Sequence, residues 1–273
     1  MEAGIINEGT RFYCSGGMDI SDIRFHCWKH SGHGSLNVVE ALKYSCDIFF
    51  YETSLRTGID KIHDMALKLG LGKPLNIGLD NEKGGLIPSA GWKKAKYGLN
   101  WAPGDAANSG IGQGYVLVTP LQLATMLARV VNGGYAVEPT FVKPTAEKLK
   151  KIKRLPISIR NIELVKRGMF EVVNGFGGTA RRARFNINGA RMSGKTGTTQ
   201  VRRISMKERL SGIISDSRLP WKLRNHAWFM GFTPVDNPRY AVAVIVEHGS
   251  SGSGVAAPIA SKILATALKL DIK

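Results

Sequence analysis

One stretch decides how the fold is interpreted: Arg191-Met192-Ser193-Gly194-Lys195-Thr196-Gly197-Thr198-Thr199-Gln200. Residues 189–196 match the phosphate-loop pattern G-x-x-x-x-G-K-[ST] letter for letter, which favours a nucleotide hydrolase. A phosphate loop, however, works only as a turn between a buried strand and a helix. Residues 181–188 are too basic and polar for a buried parallel strand, and the β-branched residues up to Val201 favour a strand over a helix. The phosphate loop is therefore the less favoured interpretation.

The same stretch contains Lys195-Thr196-Gly197, which on an extended strand is one of three motifs of serine enzymes that react with penicillins. The Lys195 ammonium and the Thr196 hydroxyl can bind the carboxylate of a peptide or a β-lactam. Gly197 has no side chain, so a substrate can lie against the strand, and the Thr198 amide can point at a developing oxyanion. A three-letter motif arises often by chance, so its value depends on the rest of the chain.

Length and charge limit the class of protein. A chain of 273 residues with 43% hydrophobic residues can bury a full core, as one large domain or two small ones. Its net charge is +17, from 38 basic and 21 acidic residues. Such an excess raises nucleic acid as a partner first, but the charge is spread and accompanies no nucleic-acid motif. A basic surface equally suits an anionic membrane face or a polyanionic wall polymer, so nucleic acid is the less favoured partner.

The sequence contains no transmembrane or signal segment. Its longest uninterrupted apolar run, residues 241–246, has the length of a strand and is far too short to span a bilayer. The first six residues lack the basic region and the apolar core of a signal peptide. Gly4 is typical of a helix stop, so residues 1–3 are expected to be the end of a helix that starts before this chain does.

The first fifth of the chain holds three cysteines and a histidine between the last two, in the pattern C-x12-C-x5-H-x12-C: Cys14, Cys27, His33 and Cys46. An odd number of cysteines fits no closed disulfide framework, whereas three thiolates and one imidazole complete a tetrahedral zinc shell. The alternatives are a Cys14–Cys27 disulfide with a free Cys46, or three unrelated buried thiols. His26 and His30 lie nearby and leave the choice of ligands open.

Elsewhere the spacing of apolar residues predicts helices and strands. Asn37 is a candidate cap for a helix that contains or breaks at Ser45-Cys46-Asp47. Thr119 and Gln122 are predicted to form a capping box at the start of another helix, with Pro120 as its first residue. Residues 80–110, rich in glycine and proline, are predicted to be a long functional loop. Further helices are predicted at 59–70, 121–131, 162–173 and 256–270, and strands at 227–232 and 240–247. This order implies an antiparallel sheet covered by helices.

A basic segment of mixed composition, residues 202–226, separates two of the predicted strands. Its apolar residues show no sustained period: Ile204, Leu210, Ile213, Ile214 and Leu219. We therefore expect an inter-strand insertion that is exposed and mobile.

With these pieces placed, the chain resembles the transpeptidase domain of class B penicillin-binding proteins, and it is most similar to the elongation-type penicillin-binding protein 2 group. The matching stretches occur in family order and cover most of residues 10–270: Gly32-His33-Gly34, Ser45-Cys46-Asp47-Ile48-Phe49-Phe50-Tyr51, Ser109-Gly110-Ile111-Gly112-Gln113-Gly114, Thr119-Pro120-Leu121-Gln122, residues 193–199 and residues 227–234. The resemblance implies an α/β (α+β) fold of the penicillin-binding protein and β-lactamase type, with an antiparallel sheet flanked by helices.

The resemblance also implies a reaction. In this family the serine of an S-x-x-K motif attacks a D-alanyl-D-alanine stem peptide of peptidoglycan, releases D-alanine, and passes the acyl group to an amine of a neighbouring strand. Ser45-Cys46-Asp47 matches the second motif, with Asp47 where many relatives have asparagine, and Ser45 would shuttle a proton toward the leaving group. Lys195-Thr196-Gly197 matches the third motif, and the Thr198 amide would form part of the oxyanion hole.

One departure from the family is serious, because no S-x-x-K occurs in these 273 residues. Family order places that motif just before Met1, so residues 1–273 are expected to be a single transpeptidase domain that lacks its N-terminal part and is inactive alone. A non-catalytic fragment that binds the wall or a partner, and a basic zinc protein that binds nucleic acid, stay open as alternatives. By resemblance the site of action is the periplasmic face of the bacterial inner membrane, with a membrane-bound elongation partner.

The resemblance bears on the zinc hypothesis as well. Relatives of the penicillin-binding protein 2 group hold zinc through the histidine of Gly-His-Gly and the cysteine of Ser-Cys-Asp, which here are His33 and Cys46. Cys14 and Cys27 would take positions that relatives often fill with aspartate. Residues 10–50 are thus the candidate zinc-binding segment, and a structural ion on Cys46 would fix the backbone between Ser45 and Asp47.

Overall fold

The computed structural model describes residues 1–202, 204–205, 208 and 211–271, and of Lys148 the backbone alone. The chain divides into two compact units, Met1–Met169 and Phe170–Lys273, each with its own hydrophobic core. That the two units together make a single transpeptidase domain stays a prediction. Among the helices in the described ranges, none is both long enough and apolar enough to cross a membrane.

Short strands open the first unit: β1 (Phe12–Cys14), β2 (Gly17–Ile20), β3 (Ile23–His26) and β4 (Gly34–Leu36). Strand β1 pairs with β4 and β2 pairs with β3, both antiparallel. In the first ladder Cys14 lies opposite Gly34, so the chain that enters β4 passes beside the end of β1. The ladders therefore bring the predicted metal ligands of this segment toward one place.

Helices and their connecting loops follow these ladders. The helices are α1 (Val38–Tyr44), α2 (Asp47–Thr57), α3 (Ile59–Lys68), α4 (Ala90–Tyr97), α5 (Pro103–Gly110), α6 (Pro120–Val131), α7 (Ala146–Lys150) and α8 (Ile159–Asn174), of which residues 170–174 belong to the second unit. Their apolar faces and the ladders enclose a core that includes Ile20, Leu36, Val39, Ile48, Phe49 and Leu164. The predicted helices at 59–70, 121–131 and 162–173 are confirmed.

Two helix starts follow from local sequence. The Asn37 side chain accepts a hydrogen bond from the Glu40 amide at 3.0 Å, and the Glu40 carboxylate accepts one from the Asn37 amide at 2.9 Å. Thr119 and Gln122 make the same reciprocal pair at the start of α6, as predicted. The buried Gln122 amide also donates to the carbonyls of Lys73 and Gly84, so this cap ties α6 to the chain that precedes α4.

The prediction of a long loop at residues 80–110 was wrong, because this region contains α4 and α5. Ser89 caps α4 by accepting a hydrogen bond from the Trp92 amide at 3.0 Å, and Pro103 occupies the first turn of α5. Serine, proline and glycine at the ends of two eight-residue helices gave the sequence the composition of a loop.

An antiparallel sheet in the order β7-β8-β9 organises the second unit: β7 (Ser193–Thr199), β8 (His226–Thr233) and β9 (Tyr240–Val246). Lys195 lies opposite Met230 and Gly197 opposite Trp228. A small ladder of β5 (Asn186–Ile187) and β6 (Ala190–Arg191) precedes the sheet, and helix α9 (Ala257–Asp271) packs against β8 and β9. The core of this unit includes Val172, Val173, Met192, Phe229 and Leu264.

The sheet decides between the two interpretations of residues 189–200. Strand β7 continues antiparallel to β8 through Thr199, and no helix begins at Lys195. The phosphate loop is therefore excluded, and the prediction of an extended Lys195-Thr196-Gly197 strand is confirmed.

The insertion between β7 and β8 is described in part. Ile213 and Ile214 are exposed, as predicted, but Leu219 is only 8% exposed, so the prediction of exposure was wrong at this position. Leu219 follows a single 3-10 turn, Asp216–Arg218, which turns its side chain inward. Leu210, which belongs to the same prediction, lies outside the described residues.

Limited trypsin digestion is expected to cut first within residues 202–226, because Arg218 and Lys222 are exposed and lie in short 3-10 turns rather than in the sheet. Lys195 within β7 is the internal control, since cleavage there requires the strand to leave β8. The order of cuts is measured by mass spectrometry. Equal protection of Arg218, Lys222 and Lys195 would mean that the insertion is packed as firmly as the sheet.

Candidate metal centre and active-site motifs

Three thiols and one imidazole meet in the first unit. The candidate ligand atoms of Cys14, Cys27, His33 and Cys46 all lie within 4.8 Å of one another. His33 Nδ1 is 3.6 Å from Cys14 Sγ and 3.5 Å from Cys27 Sγ. The three cysteines are between 0% and 2% exposed. The cluster can hold a metal ion, as the spacing of these four residues predicted.

Backbone contacts at the ends of the two ladders build this cluster. The His33 amide donates to the Cys14 carbonyl at 3.1 Å, and the Cys27 amide donates to the Gly16 carbonyl at 2.9 Å. A side chain at Gly32 would collide with the carbonyl of Cys14, and both Gly16 and Gly32 have positive φ angles. Glycine is required here because the two chain segments cross in direct backbone contact.

The cysteines are free thiols, so the alternative of a Cys14–Cys27 disulfide is wrong. Their convergence likewise contradicts three unrelated buried thiols. A hydrogen bond from Cys46 stabilises the thiolate of Cys27 and lowers the pKa of Cys27 to about 4, and the same pairing together with burial raises the pKa of Cys46. In the described residues His26 and His30 are not members of the cluster, which leaves His33 as its imidazole.

The donor set passes a simple chemical test for a metal. Four side chains of the soft and borderline type fill a tetrahedral set with no position left over, which is the composition of a closed structural site. The Nε2 atom of His33 is buried and meets no hydrogen-bond partner among the described residues. The ring is therefore fixed by its Nδ1 side, which faces the thiols, and by contacts with Tyr44 and Trp28.

The second motif, Ser45-Cys46-Asp47, lies at the junction of α1 and α2. Ser45 has φ 52° and ψ 50°, the left-handed conformation, and it ends α1 with its amide donating to the Leu42 carbonyl at 3.2 Å. Asp47 begins α2, and its Oδ2 atom accepts a hydrogen bond from the Trp28 amide at 2.9 Å. A non-glycine residue at positive φ is uncommon, and such residues concentrate at functional sites.

The third motif emerges from the core of the second unit along β7. Ser193 is buried, whereas Lys195, Thr196 and Gly197 are half-buried and Thr198 is exposed. Lys195 Nζ donates to the Thr196 carbonyl at 2.9 Å. The accessible half of the strand thus offers a cation, hydroxyls and a glycine backbone side by side, which suits a carboxylate ligand.

Thr179 is a contact of this motif that the sequence did not indicate. Its hydroxyl lies 3.2 Å from that of Thr196. The turn that carries it is anchored because the Ala180 amide donates to the Val172 carbonyl at 2.9 Å. A Gly-Gly-Thr turn directly after a helix was the available signal.

The predicted site residues fall into two groups. The candidate metal ligands, Ser45 and Asp47 lie together in the first unit, and Lys195, Thr196, Gly197 and Thr198 follow one another on β7 in the second. Residues 1–265 match the family model described as the penicillin binding protein transpeptidase domain. The chain belongs to this transpeptidase family.

Curated relatives of the transpeptidase domain agree with this assignment. The chain is 36% identical to the peptidoglycan D,D-transpeptidase MrdA of Haemophilus influenzae over 88% of its own length and 38% of that protein. It is 33% identical to the protein of the same name from Escherichia coli over 93% of the chain and 41% of that protein. The transpeptidase chain therefore spans about two fifths of the length of the curated relatives it matches.

Solved structures of penicillin-binding proteins confirm the fold. A complex between penicillin-binding protein PBP2 and MreC from Helicobacter pylori matches 98% of this chain and 46% of its own with a TM-score of 0.84 at 28% identity. The Pseudomonas aeruginosa PBP2 in complex with WCK 5153 matches 96% of this chain and 54% of its own with a TM-score of 0.78 at 33% identity. The predicted mixed α/β fold, an antiparallel sheet flanked by helices, is confirmed, and so is the resemblance drawn from the motifs.

Proposed function

We propose that the chain is part of a peptidoglycan D,D-transpeptidase that cross-links stem peptides of the bacterial cell wall and so maintains cell shape. The observation that carries this proposal is β7, which presents Lys195-Thr196-Gly197 on an accessible strand within a chain that matches the transpeptidase family. The matched relatives are named for the same reaction.

In this proposal β7 binds the carboxyl end of the donor stem peptide, or the carboxylate of a β-lactam. Lys195 attracts the carboxylate by charge, and Thr196 donates a hydrogen bond to it. Gly197 allows the ligand to approach the backbone, and the Thr198 amide stabilises the oxyanion that forms at the scissile carbonyl. The contact with Thr179 supports this role, because a hydrogen bond between the two hydroxyls restricts the rotation of the Thr196 hydroxyl.

Ser45 and Asp47 act in proton transfer within the same proposal. Ser45 passes a proton toward the leaving amine, which requires its hydroxyl to be held in a defined direction. The left-handed conformation of Ser45 and the hydrogen bond to Asp47 Oδ2 support such a constraint. The family nucleophile and its lysine belong to an S-x-x-K motif, which these 273 residues do not contain.

The metal proposed for the cluster is zinc, bound by Cys14, Cys27, His33 and Cys46. A bound zinc ion would supply structural rigidity, since the four side chains leave no coordination position for water. Cys46 lies between Ser45 and Asp47, so a metal bound to Cys46 would restrict the backbone of the second motif. The three free thiols and the Nδ1 atom of His33, which faces them, support this choice.

We place the protein at the periplasmic face of the bacterial inner membrane, with a membrane-bound partner of the elongation machinery. The Helicobacter pylori neighbour was solved as a complex of PBP2 with MreC, and another neighbour belongs to a peptidoglycan synthase complex that coordinates polymerization and crosslinking. These neighbours support a protein partner for this chain.

Ligand binding tests the proposal without requiring turnover. A diacetylated lysyl-D-alanyl-D-alanine peptide is expected to bind weakly, and Lys195→Ala is expected to weaken it about 10–100-fold, because a charge-assisted hydrogen bond contributes about 1.5–3 kcal/mol. The dissociation constant is measured by NMR titration. Lys262→Ala, an exposed lysine of the same unit, is the matched control.

Failure of the wild-type chain to bind the D-alanyl-D-alanine peptide would contradict the proposal, and so would either of two other results. Equal affinity for the corresponding L-alanyl-L-alanine peptide would mean that β7 does not recognise the stem peptide. Tight binding of duplex DNA with a steep salt dependence, and no peptide binding, would favour the nucleic-acid alternative instead.

A further inference from the structure

Trp28 makes contacts that neither the motifs nor the metal cluster explains. It follows Cys27 directly, and its indole Nε1 donates to two carbonyls at the end of α1, those of Tyr44 at 3.0 Å and Ser45 at 2.9 Å. Its main-chain amide donates to Asp47 Oδ2 at 2.9 Å. One residue therefore binds the second motif on both sides of Cys46.

These hydrogen bonds meet a specific need of the α1–α2 junction. The last carbonyls of a helix have no partner within the helix, and α1 ends at Tyr44. Ser45 then adopts the left-handed conformation, which non-glycine residues disfavour and which persists only where surrounding contacts impose it. The indole N–H of Trp28 donates to the carbonyl that precedes Ser45 and to the carbonyl of Ser45 itself.

Burial does not explain why a tryptophan occupies this position. Trp28 is 57% exposed, so most of its ring contributes little to a core. Its ring contacts His33 edge to face, with centroids 5.4 Å apart, while its nitrogen atoms point at the motif. Trp28 thus contacts both the metal cluster, through its ring, and the second motif, through hydrogen bonds.

We infer that Trp28 is a positioning residue that sets the direction of the Ser45 side chain through the indole N–H and the main-chain amide. The functional meaning of this role rests on the proposed proton transfer by Ser45. Trp28 does not touch the reacting atoms in this scheme. It fixes the backbone from Tyr44 to Asp47, and the backbone fixes where the Ser45 hydroxyl points.

Two replacements separate the N–H group from the ring. Trp28→Phe removes the indole N–H but keeps an aromatic ring against His33 and the main-chain amide to Asp47. Incorporation of 3-benzothienylalanine at position 28 keeps the size and shape of the ring and removes only the donor. Trp221→Phe is the matched control, since Trp221 is 55% exposed and lies in the second unit.

The metal-loaded chain of each variant is compared by NMR and by amide hydrogen exchange. We expect the carbonyl ¹³C resonances of Tyr44 and Ser45 to move upfield in both Trp28 variants, and the Ser45 side chain to populate several rotamers. Amide exchange at residues 45–47 should accelerate about tenfold or more, because these hydrogen bonds limit local opening. The metal content of all three variants should equal that of the wild type. In Trp221→Phe the spectra of residues 44–47 should also match those of the wild type.

Unchanged carbonyl shifts, rotamers and exchange in the benzothienylalanine variant would overturn the inference, whether or not Trp28→Phe folds. These readouts do not depend on catalysis. Failure of the wild-type chain to bind the D-alanyl-D-alanine peptide would therefore refute the proposed function and leave the structural role of Trp28 to be decided by its own measurements.

Discussion

Replacement of Cys46 with serine is expected to abolish zinc binding and to destabilise the first unit by several kcal/mol. The purified wild-type chain should contain about one zinc ion, as a closed structural site does. Structural zinc contributes about 10–16 kcal/mol of apparent binding free energy in zinc-finger peptides, and a serine hydroxyl is a far weaker ligand than a thiolate. Cys46 is fully buried among the other candidate ligands, so a water molecule from solvent cannot replace the lost thiolate.

Metal analysis and thermal unfolding together measure this effect. His30→Ala is the control, since His30 is exposed, close in sequence, and absent from the cluster. This variant should keep its zinc and its unfolding temperature. In Cys46→Ser, amide exchange should also accelerate at Ser45 and Asp47, because Cys46 holds the chain between them. A wild-type chain that is fully folded and metal-free under metal-replete conditions would refute the zinc proposal.

The second large effect concerns acylation: labelled penicillin is expected to leave no covalent adduct on a polypeptide of these 273 residues. Covalent catalysis needs a nucleophile with a base in hydrogen-bond reach, and the family places both on the S-x-x-K motif. In the proposed function Ser45 is the proton-transfer serine and not the nucleophile. Removing members of a catalytic unit lowers the rate roughly 10⁴–10⁶-fold. At such a rate we expect too little adduct to be detected by intact mass.

Intact-mass measurement after long incubation tests this expectation. A polypeptide extended at its N-terminus by a family segment that carries S-x-x-K serves as the positive control and should form one adduct. Lys195→Ala in that extended polypeptide should lower the rate of adduct formation, because β7 is proposed to bind the β-lactam carboxylate. A stoichiometric adduct on Ser45, or on any other serine of the 273-residue polypeptide, would show that a different residue acts as the nucleophile.

The parts of the fold with strong local signals could be predicted from sequence. The capping box of Thr119 and Gln122 fixes the start of α6 by two reciprocal hydrogen bonds. The β-branched residues around Lys195-Thr196-Gly197 identified a strand against a literal match to the phosphate loop. The cysteine and histidine spacing identified the residues of the candidate metal cluster because three thiols and one imidazole form a chemically complete set.

Other features depend on tertiary contacts that composition does not encode. Helices α4 and α5 were missed because serine, proline and glycine lie at or near their ends, and each helix has only eight residues in which to show a period. Trp28 was missed because its partners are main-chain carbonyls 16 and 17 positions away, which carry no sequence signature. Leu219 is buried by one local turn within a segment that lacks periodicity.

Strand β7 has a single neighbour, β8, in the sheet that the structure describes. Every second residue of an outer antiparallel strand directs its N–H and C=O groups away from the sheet. An extended chain aligned beside β7 would be joined as a fourth strand through its main chain, with side chains alternating above and below. Such recognition tolerates variation along the middle of a ligand and is strict about its charged end, beside Lys195. In the proposed function, such a strand would accept stem peptides that differ in their middle residues and would refuse a peptide that lacks the terminal carboxylate.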